Sequence, residues 1–405
     1  MPDKTLPKGV ELTEYDAAFR ADPHKRLDTL RGACPVYHDP EFGHLFLTRY
    51  EDVRATVNSR APLRHPRHAH PDAQMPRAFR QERDDGQSDE SILFMDEPEH
   101  MRVRAPLQKA FYKRVAQGKP LTEAIIKDVL DGLEGRETFD VLADFAIPVP
   151  ILVIAHILGV PQARLAEFRE WSEGIILSLN PLRSPEQTAQ MQRAQEALRA
   201  FFTAEIAARR TQPRDDLLTD LVRLQDEGAP LSDSEITTNS TALLVGGNLT
   251  TTDLIGNAMW LILTHPKELA KLKADPSLIS AAVEEVLRIH GPVMITSRVA
   301  NAAGEIGGCP MRDREWVVTS LAAANHDPSV FERPHEFDIT RKHVPHIAFG
   351  GGTHICIGAP LARLEAQVAI PALFNRFPNL SMAPQEIEWK TLPFFHGLER
   401  LILRP

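Results

Sequence analysis

Three cysteines in 405 residues, Cys34, Cys309 and Cys356, are too few and too scattered for a disulfide framework. A reducing compartment fits that scarcity. A basic excess is missing as well. With 46 Lys and Arg against 55 Asp and Glu, the net charge is −9, so the chain is not built to bind nucleic acid over its whole surface. No apolar run reaches membrane length: ILVIAHILGV at 151–160 is the longest and falls far short of the roughly 20 residues a span requires. The opening stretch MPDKTLPKGVELTEYDAAF has no apolar core of the signal-peptide kind. No Gly/Ser linker, internal repeat or low-complexity tract divides the chain. These absences predict a cytoplasmic protein with neither a nucleic-acid nor a membrane partner; a monomer is expected.

What is present is ordinary globular material, 43% hydrophobic and 25% charged. Apolar residues recur at three and four through 98–115, 161–177 and 188–210, the spacing of amphipathic helices. Strand patterns are short and few: HLFLTR at 44–49, EWVVTSL at 315–321 and LERLILRP at the end. The 32 prolines mostly punctuate helix ends. The pattern predicts one unit over 1–405, mainly α with small β-sheets. Within it, 1–95 reads as a β-rich N-terminal part and 96–405 as the helical part. Residues 60–91, proline-rich, charged and aperiodic, are too long for a simple connection and read as a mobile or functional loop. Its His65, His68 and His70 suit a solvated loop better than a metal site, because well-spaced acidic or cysteine partners are missing.

Residues 232–266 read as one long helix, opened by a Ser232/Glu235 capping box and closed at His265-Pro266. Its middle, Gly246-Gly247-Asn248-Leu249-Thr250-Thr251-Thr252, contradicts helix propensity. Each glycine costs about 1 kcal/mol against alanine, and the β-branched threonines add to that. Two readings follow: close packing of another helix, or a break where a ligand enters and Thr hydroxyls and loosened carbonyls face it.

FGGGTHICIG at 349–358 raises a sharper question. A phosphate loop would need Gly-Lys-Ser/Thr after the glycines. A dinucleotide fingerprint would need glycine where Ile355 stands. Zinc wants about four N or S ligands, and His346, His354 and Cys356 offer three at unusual spacing. A nucleophilic cysteine wants a histidine base, poorly placed two residues away on an extended segment. A thiolate ligand to heme iron needs one cysteine only, because the porphyrin supplies the equatorial donors. The glycines take positive φ cheaply. The helix opening at Gly358-Ala359-Pro360 brings its positive end toward the thiolate.

FGGGTHICIGAPLAR resembles the F-G-x-G-x-H-x-C-x-G-A signature of the cytochrome P450 heme-thiolate monooxygenases, at Phe349, Gly350, Gly352, His354, Cys356, Gly358 and Ala359. Other landmarks follow in family order: the Gly-Thr helix, E-x-x-R at Glu285–Arg288, and ANHDP at 324–328, close to the family's A-N-R-D-P. HEFDITR at 335–341 and DEPEHMRVR at 96–104 are similar too, so the resemblance covers roughly residue 90 to the end.

The resemblance implies the cytochrome P450 fold, a helical prism enclosing heme b with Cys356 as iron ligand. It implies propionate partners at His100 and Arg104, at Arg298 and at His354, and loop contacts from Phe349, Gly350 and Gly358. Glu285 and Arg288 become a buried structural pair that Arg341 completes. Thr250, with Asn248 and Thr251, faces proton delivery to oxygen. Leu243, Gly247, Val293, Met294, Ile295, Phe394 and Phe395 line a substrate pocket together with the 60–91 loop. Their apolar character points to a small hydrophobic molecule, hydroxylated or dealkylated with O2. Electrons come from a separate ferredoxin, or a flavodoxin, with its NAD(P)H reductase. Arg102, Lys109, Lys113 and Arg114 are either its docking face or a solvated helix side.

One position departs from the family. Where the helix carries an acid before the threonine, this chain has Leu249. That keeps open a peroxygenase, isomerase or reductase of the same heme-thiolate class. A heme-binding sensor without catalysis is a further alternative.

Overall fold

Trp316–Ser320 is buried at every residue, the pattern of a strand covered on each face. The computed structural model describes residues 6–73, 91–180 and 183–405. In it this strand lies inside a four-stranded sheet ordered Val36–Asp39, His44–Leu47, Trp316–Ser320, Ile295–Val299. Its pairing is parallel to His44–Leu47 and antiparallel to Ile295–Val299. Because side chains alternate, Trp316 and Val318 join one core with Leu12, Phe19, Leu27 and Met294. Val317 joins another with Val53, Val57, Phe331 and Ile347. This sheet belongs to a first compact unit, formed by the described residues of Met1–Gln81, Asp253–Cys356 and Leu380–Arg404.

A buried aromatic stack in this unit has no signature in the sequence. His290 stacks on Trp389 and on His396, Trp389 lies on His396, and His24 lies 3.7 Å from His326 between ring centres. Burial keeps His24, His326 and His396 well below the ordinary imidazole value and pushes His290 down to about 4. Arg288 opposes protonation of His290 and His326, whereas Asp22 favours it at His290. The unfolded chain therefore binds protons at these sites first. Their stabilisation is present above about pH 6.5 and is lost as pH falls toward 4. His290 alone is expected to remove on the order of 2 kcal/mol between pH 7 and pH 5. Urea unfolding at the two values measures this, and a flat profile would contradict the neutral stack.

The second unit, the described residues of Glu82–Thr252 and Ile357–Asn379, is mainly helical, with one short strand at Phe139–Asp140. Leu165–Ile176 packs on Pro185–Thr211 closely enough that a Cβ on Gly174 would sit 2.7 Å from Ala194 Cβ. Phe168, Phe201 and Phe202 fill the same seam with edge-on rings. Lys119–Asp131 packs on Ala359–Arg376. Among the described residues no helix is long and apolar enough to cross a membrane.

Three expectations change. The N-terminal part holds more helix than strand, with Ala17–Ala21, Pro23–Ala33 and Tyr50–Asn58 beside two four-residue strands. Asp16 and Asp22 cap the first two helices by accepting the Phe19 and Lys25 amides. Second, the early part of the 60–91 loop is pinned: Leu63 exchanges both backbone hydrogen bonds with Val299, and Arg64 donates to Ser297 O. Positions 74–90 of that loop lie outside the described residues. Third, the long helix is not broken, since Asp233–Thr264 is helical throughout. Thr250 Oγ1 donates to Gly246 O at 2.7 Å and Thr252 Oγ1 to Ala146 O at 2.9 Å. The hydroxyls thus bond to carbonyls without opening the ladder.

Candidate functional site

The cysteine loop closes on itself, with Cys356 N donating to Phe349 O at 3.0 Å and Gly350 N to Ile347 O at 2.9 Å. Gly350 and Gly352 have φ of +71° and +64°, the left-handed region where a side chain is strained. Gly352 is required for a second reason. A Cβ there would sit 2.6 Å from Val57 O, at the end of the Tyr50–Asn58 helix. That approach lets Gly352 N donate to Asn58 Oδ1 at 2.9 Å. Arg298, buried in the same unit, donates to Val57 O at 3.3 Å and Ser297 O at 2.8 Å. His354 is half-buried, and Cys356 is exposed.

Behind the loop, Glu285 and Arg288 share two bonds of 2.8 and 2.7 Å, both residues essentially without solvent exposure. Arg288 also donates to Asn325 O, Pro334 O and Glu336 O. Arg341 Nε completes the group at 2.9 Å from Glu285 Oε1. Asn325 passes the connection on, because its Oδ1 accepts Ile347 N, at the start of the loop. His346 is bound to Glu284 at 2.9 Å, which removes it from any ligand set.

The residues of this unit expected to face substrate come together at the C-terminal turn. Met294 N donates to Phe394 O at 2.9 Å, Val293 pairs with Phe395, and Ile295 begins the neighbouring sheet strand.

In the second unit, Gly246 of the long helix is exposed and Gly247 and Thr250 are half-buried, next to buried Leu243, Asn248, Leu249 and Thr251. A Cβ on Gly246 would meet nothing within 4 Å, and one on Gly247 only Ile154 at 3.7 Å. Close helix packing therefore does not explain the glycine pair. Asn248 Nδ2 donates to Ser172 Oγ at 3.2 Å, a partner that the sequence did not reveal. His100 and Arg104, one turn apart on Glu99–Gln117, are both buried. Burial holds His100 below the ordinary imidazole value against the pull of Glu97, 3.3 Å away.

The basic cluster on the same helix is largely neutralised by the chain's own acids. Arg102 pairs with Glu235 and Glu99, Arg114 with Asp220 at 2.6 Å, and Lys113 with Asp220 at 3.4 Å. These pairs were invisible in sequence because 106 or more residues separate most of them.

No cluster of His, Cys, Asp or Glu among the described residues is arranged to cage a bare metal ion. A single exposed cysteine on a left-handed glycine loop suits iron already held by a porphyrin. The cytochrome P450 family model matches residues 175–398. Cytochrome P450 107B1 of Saccharopolyspora erythraea is 38% identical over 410 residues, 98% of each chain. The chain belongs to the cytochrome P450 family. 6-Deoxyerythronolide B hydroxylase of the same organism is 38% identical over 313 residues, 76% of each chain. The solved structure of P450BioI, with an acyl carrier protein ligated to hexadec-9Z-enoic acid, matches at a TM-score of 0.86 and 32% identity. It covers 96% of this chain and 100% of that one. This P450 is accordingly a heme b oxidoreductase of the monooxygenase kind, using O2, an organic substrate and a redox partner.

Proposed function

We propose that this P450, acting as one domain in the cytoplasm, hydroxylates or dealkylates a small hydrophobic molecule with electrons from a ferredoxin or flavodoxin and its NAD(P)H reductase. The observation that carries the reading is the exposed Cys356 on a loop fixed by Asn58, Asn325 and two left-handed glycines. Heme, when bound, supplies the oxygen and electron chemistry. Cys356 holds its iron as a thiolate. His100, Arg104, Arg298 and His354 meet the propionates, which need cationic or hydrogen-bonding partners when buried. Phe349, Gly350 and Gly358 shape the loop around the sulfur.

Thr250, half-buried on the long helix, holds a hydroxyl that can pass a proton. Asn248 does not titrate near neutral pH, so it orients water only. Thr251 is buried beside them. Leu243, Gly247, Val293, Met294, Ile295, Phe394 and Phe395 offer mostly apolar contacts, and the names of two relatives, a 6-deoxyerythronolide B hydroxylase and a protein bound to a hexadecenoyl carrier, fit apolar substrates. Lys109 and Lys113 remain exposed for an acidic carrier, whereas Arg102 and Arg114 are committed to acids of this chain. Carbon monoxide on the reduced holoprotein is expected to give the long-wavelength Soret band of thiolate ligation, lost in Cys356→Ala. A histidine-type band in correctly folded wild type would end the reading.

A further inference from the structure

The C-terminal turn that carries Phe394 and Phe395 is held from an unexpected quarter. Phe394 has φ +74°, a conformation that a bulky residue adopts only when its surroundings enforce it. Two bonds, which together make the Val293–Phe395 bridge, enforce it from the chain near residue 293: Met294 N to Phe394 O and His396 N to Pro292 O. The Phe394 amide itself points elsewhere. It donates to Oε2 of Glu14 at 2.5 Å, across 380 residues of sequence.

Glu14 is 1% exposed, and its other oxygen, Oε1, is buried without a hydrogen-bond partner among the described residues. Its surroundings are fixed: Arg20 donates to the Glu14 carbonyl at 2.7 Å, and Asp16 caps the next helix while paired with Arg26 at 3.0 Å. A buried carboxyl with one satisfied oxygen is costly to keep for packing alone.

We propose that Glu14 is a positioning residue for substrate binding, latching the Phe394–Phe395 turn through the Phe394 amide. This inference rests on the proposed substrate contact of Phe394 and Phe395. Its direction follows from proton linkage. Burial pushes the Glu14 carboxyl up to about 8, although the Phe394 amide and Arg20, the charged side chain acting on it, both favour the anion. A solvated Glu14, in an opened turn, returns to the ordinary range near 4.5. Closing the turn therefore takes up a proton. The latch is tightest at low pH, and it weakens about tenfold per pH unit as pH rises toward 8, then levels off. One oxygen of the protonated group accepts the amide, and the unpartnered oxygen carries the proton at lower cost than a charge.

The test compares wild-type holoprotein with Glu14→Gln, which keeps an acceptor and removes the titration, and with Glu14→Ala, which removes both. Amide hydrogen exchange of residues 391–397 is followed from pH 6 to 9, corrected for intrinsic exchange. In parallel, heme absorbance gives the dissociation constants of imidazole and of the bulkier 4-phenylimidazole. The expected result is wild-type protection that falls about tenfold between pH 6 and 7 and levels off above pH 8. In Glu14→Gln it stays flat, and in Glu14→Ala it is lost at every pH. The preference for 4-phenylimidazole over imidazole is expected to follow the same pattern. Identical pH slopes in wild type and Glu14→Gln would overturn the latch. Altered protection with an unchanged azole preference would overturn the substrate contact of Phe394 and Phe395, leaving Glu14 a fold residue only.

Discussion

Glu285→Ala and Arg288→Ala are both expected to yield chain that accumulates with little bound heme. The five N–H groups of Arg288 are all engaged, two on Glu285 and the rest on the carbonyls of Asn325, Pro334 and Glu336. Removing Glu285 leaves that cation buried at 1% exposure beside Arg341; removing Arg288 leaves a carboxylate at 0%. Breaking such a pair costs about 3–5 kcal/mol, a large share of a domain's stability. The damage reaches the cysteine loop by a traceable route, from Arg288 to Asn325 to Ile347 and so to the segment that ends in Cys356. Arg288→Lys should also fail, because an ammonium cannot reach five acceptors in the planar fork. The ratio of heme absorbance to protein, measured on purified monomeric fractions, checks this. Normal loading in either alanine variant would reject the structural role.

The second large effect belongs to the long helix. Thr250→Ala is expected to divert electrons from organic product to hydrogen peroxide, lowering product per electron at least about tenfold, the range of a lost proton-transfer group. Residue 249 sharpens the test. Leu249 is buried at 8% exposure, and Asn248 beside it is bonded to Ser172, so neither supplies an acid. If proton supply limits turnover, Leu249→Asp raises oxygen-driven product formation in spite of the cost of burying a carboxyl. An unchanged rate counts against a missing-acid bottleneck. A wild type that makes product with peroxide alone, yet little with oxygen and a ferredoxin system, would favour the peroxygenase alternative.

Local chemistry was legible because it is written in adjacent residues. The glycines around Cys356 encode a left-handed loop, and Ser232 and Glu235 make the capping box that the periodicity predicts, with bonds of 3.0 and 2.8 Å. The long helix was legible in extent but not in state. Propensity predicts a break at Gly246-Gly247, whereas Thr250 and Thr252 bond to carbonyls and the ladder persists. The capped helices at Asp16 and Asp22 went unread because 5- and 11-residue helices show little periodicity.

The sequence by itself determined the family and the helical class, since each depends on residue types at fixed short spacings. Tertiary structure alone decided which charges are free and which are spent. Arg102 and Arg114 look like a docking patch until Glu235 and Asp220 fold against them. Glu14 looks like a surface acid until Phe394 arrives from the far end of the chain. The physical reason is the same in each case: burial and pairing set the energy of a charge, and both are fixed by partners that the linear order does not place nearby.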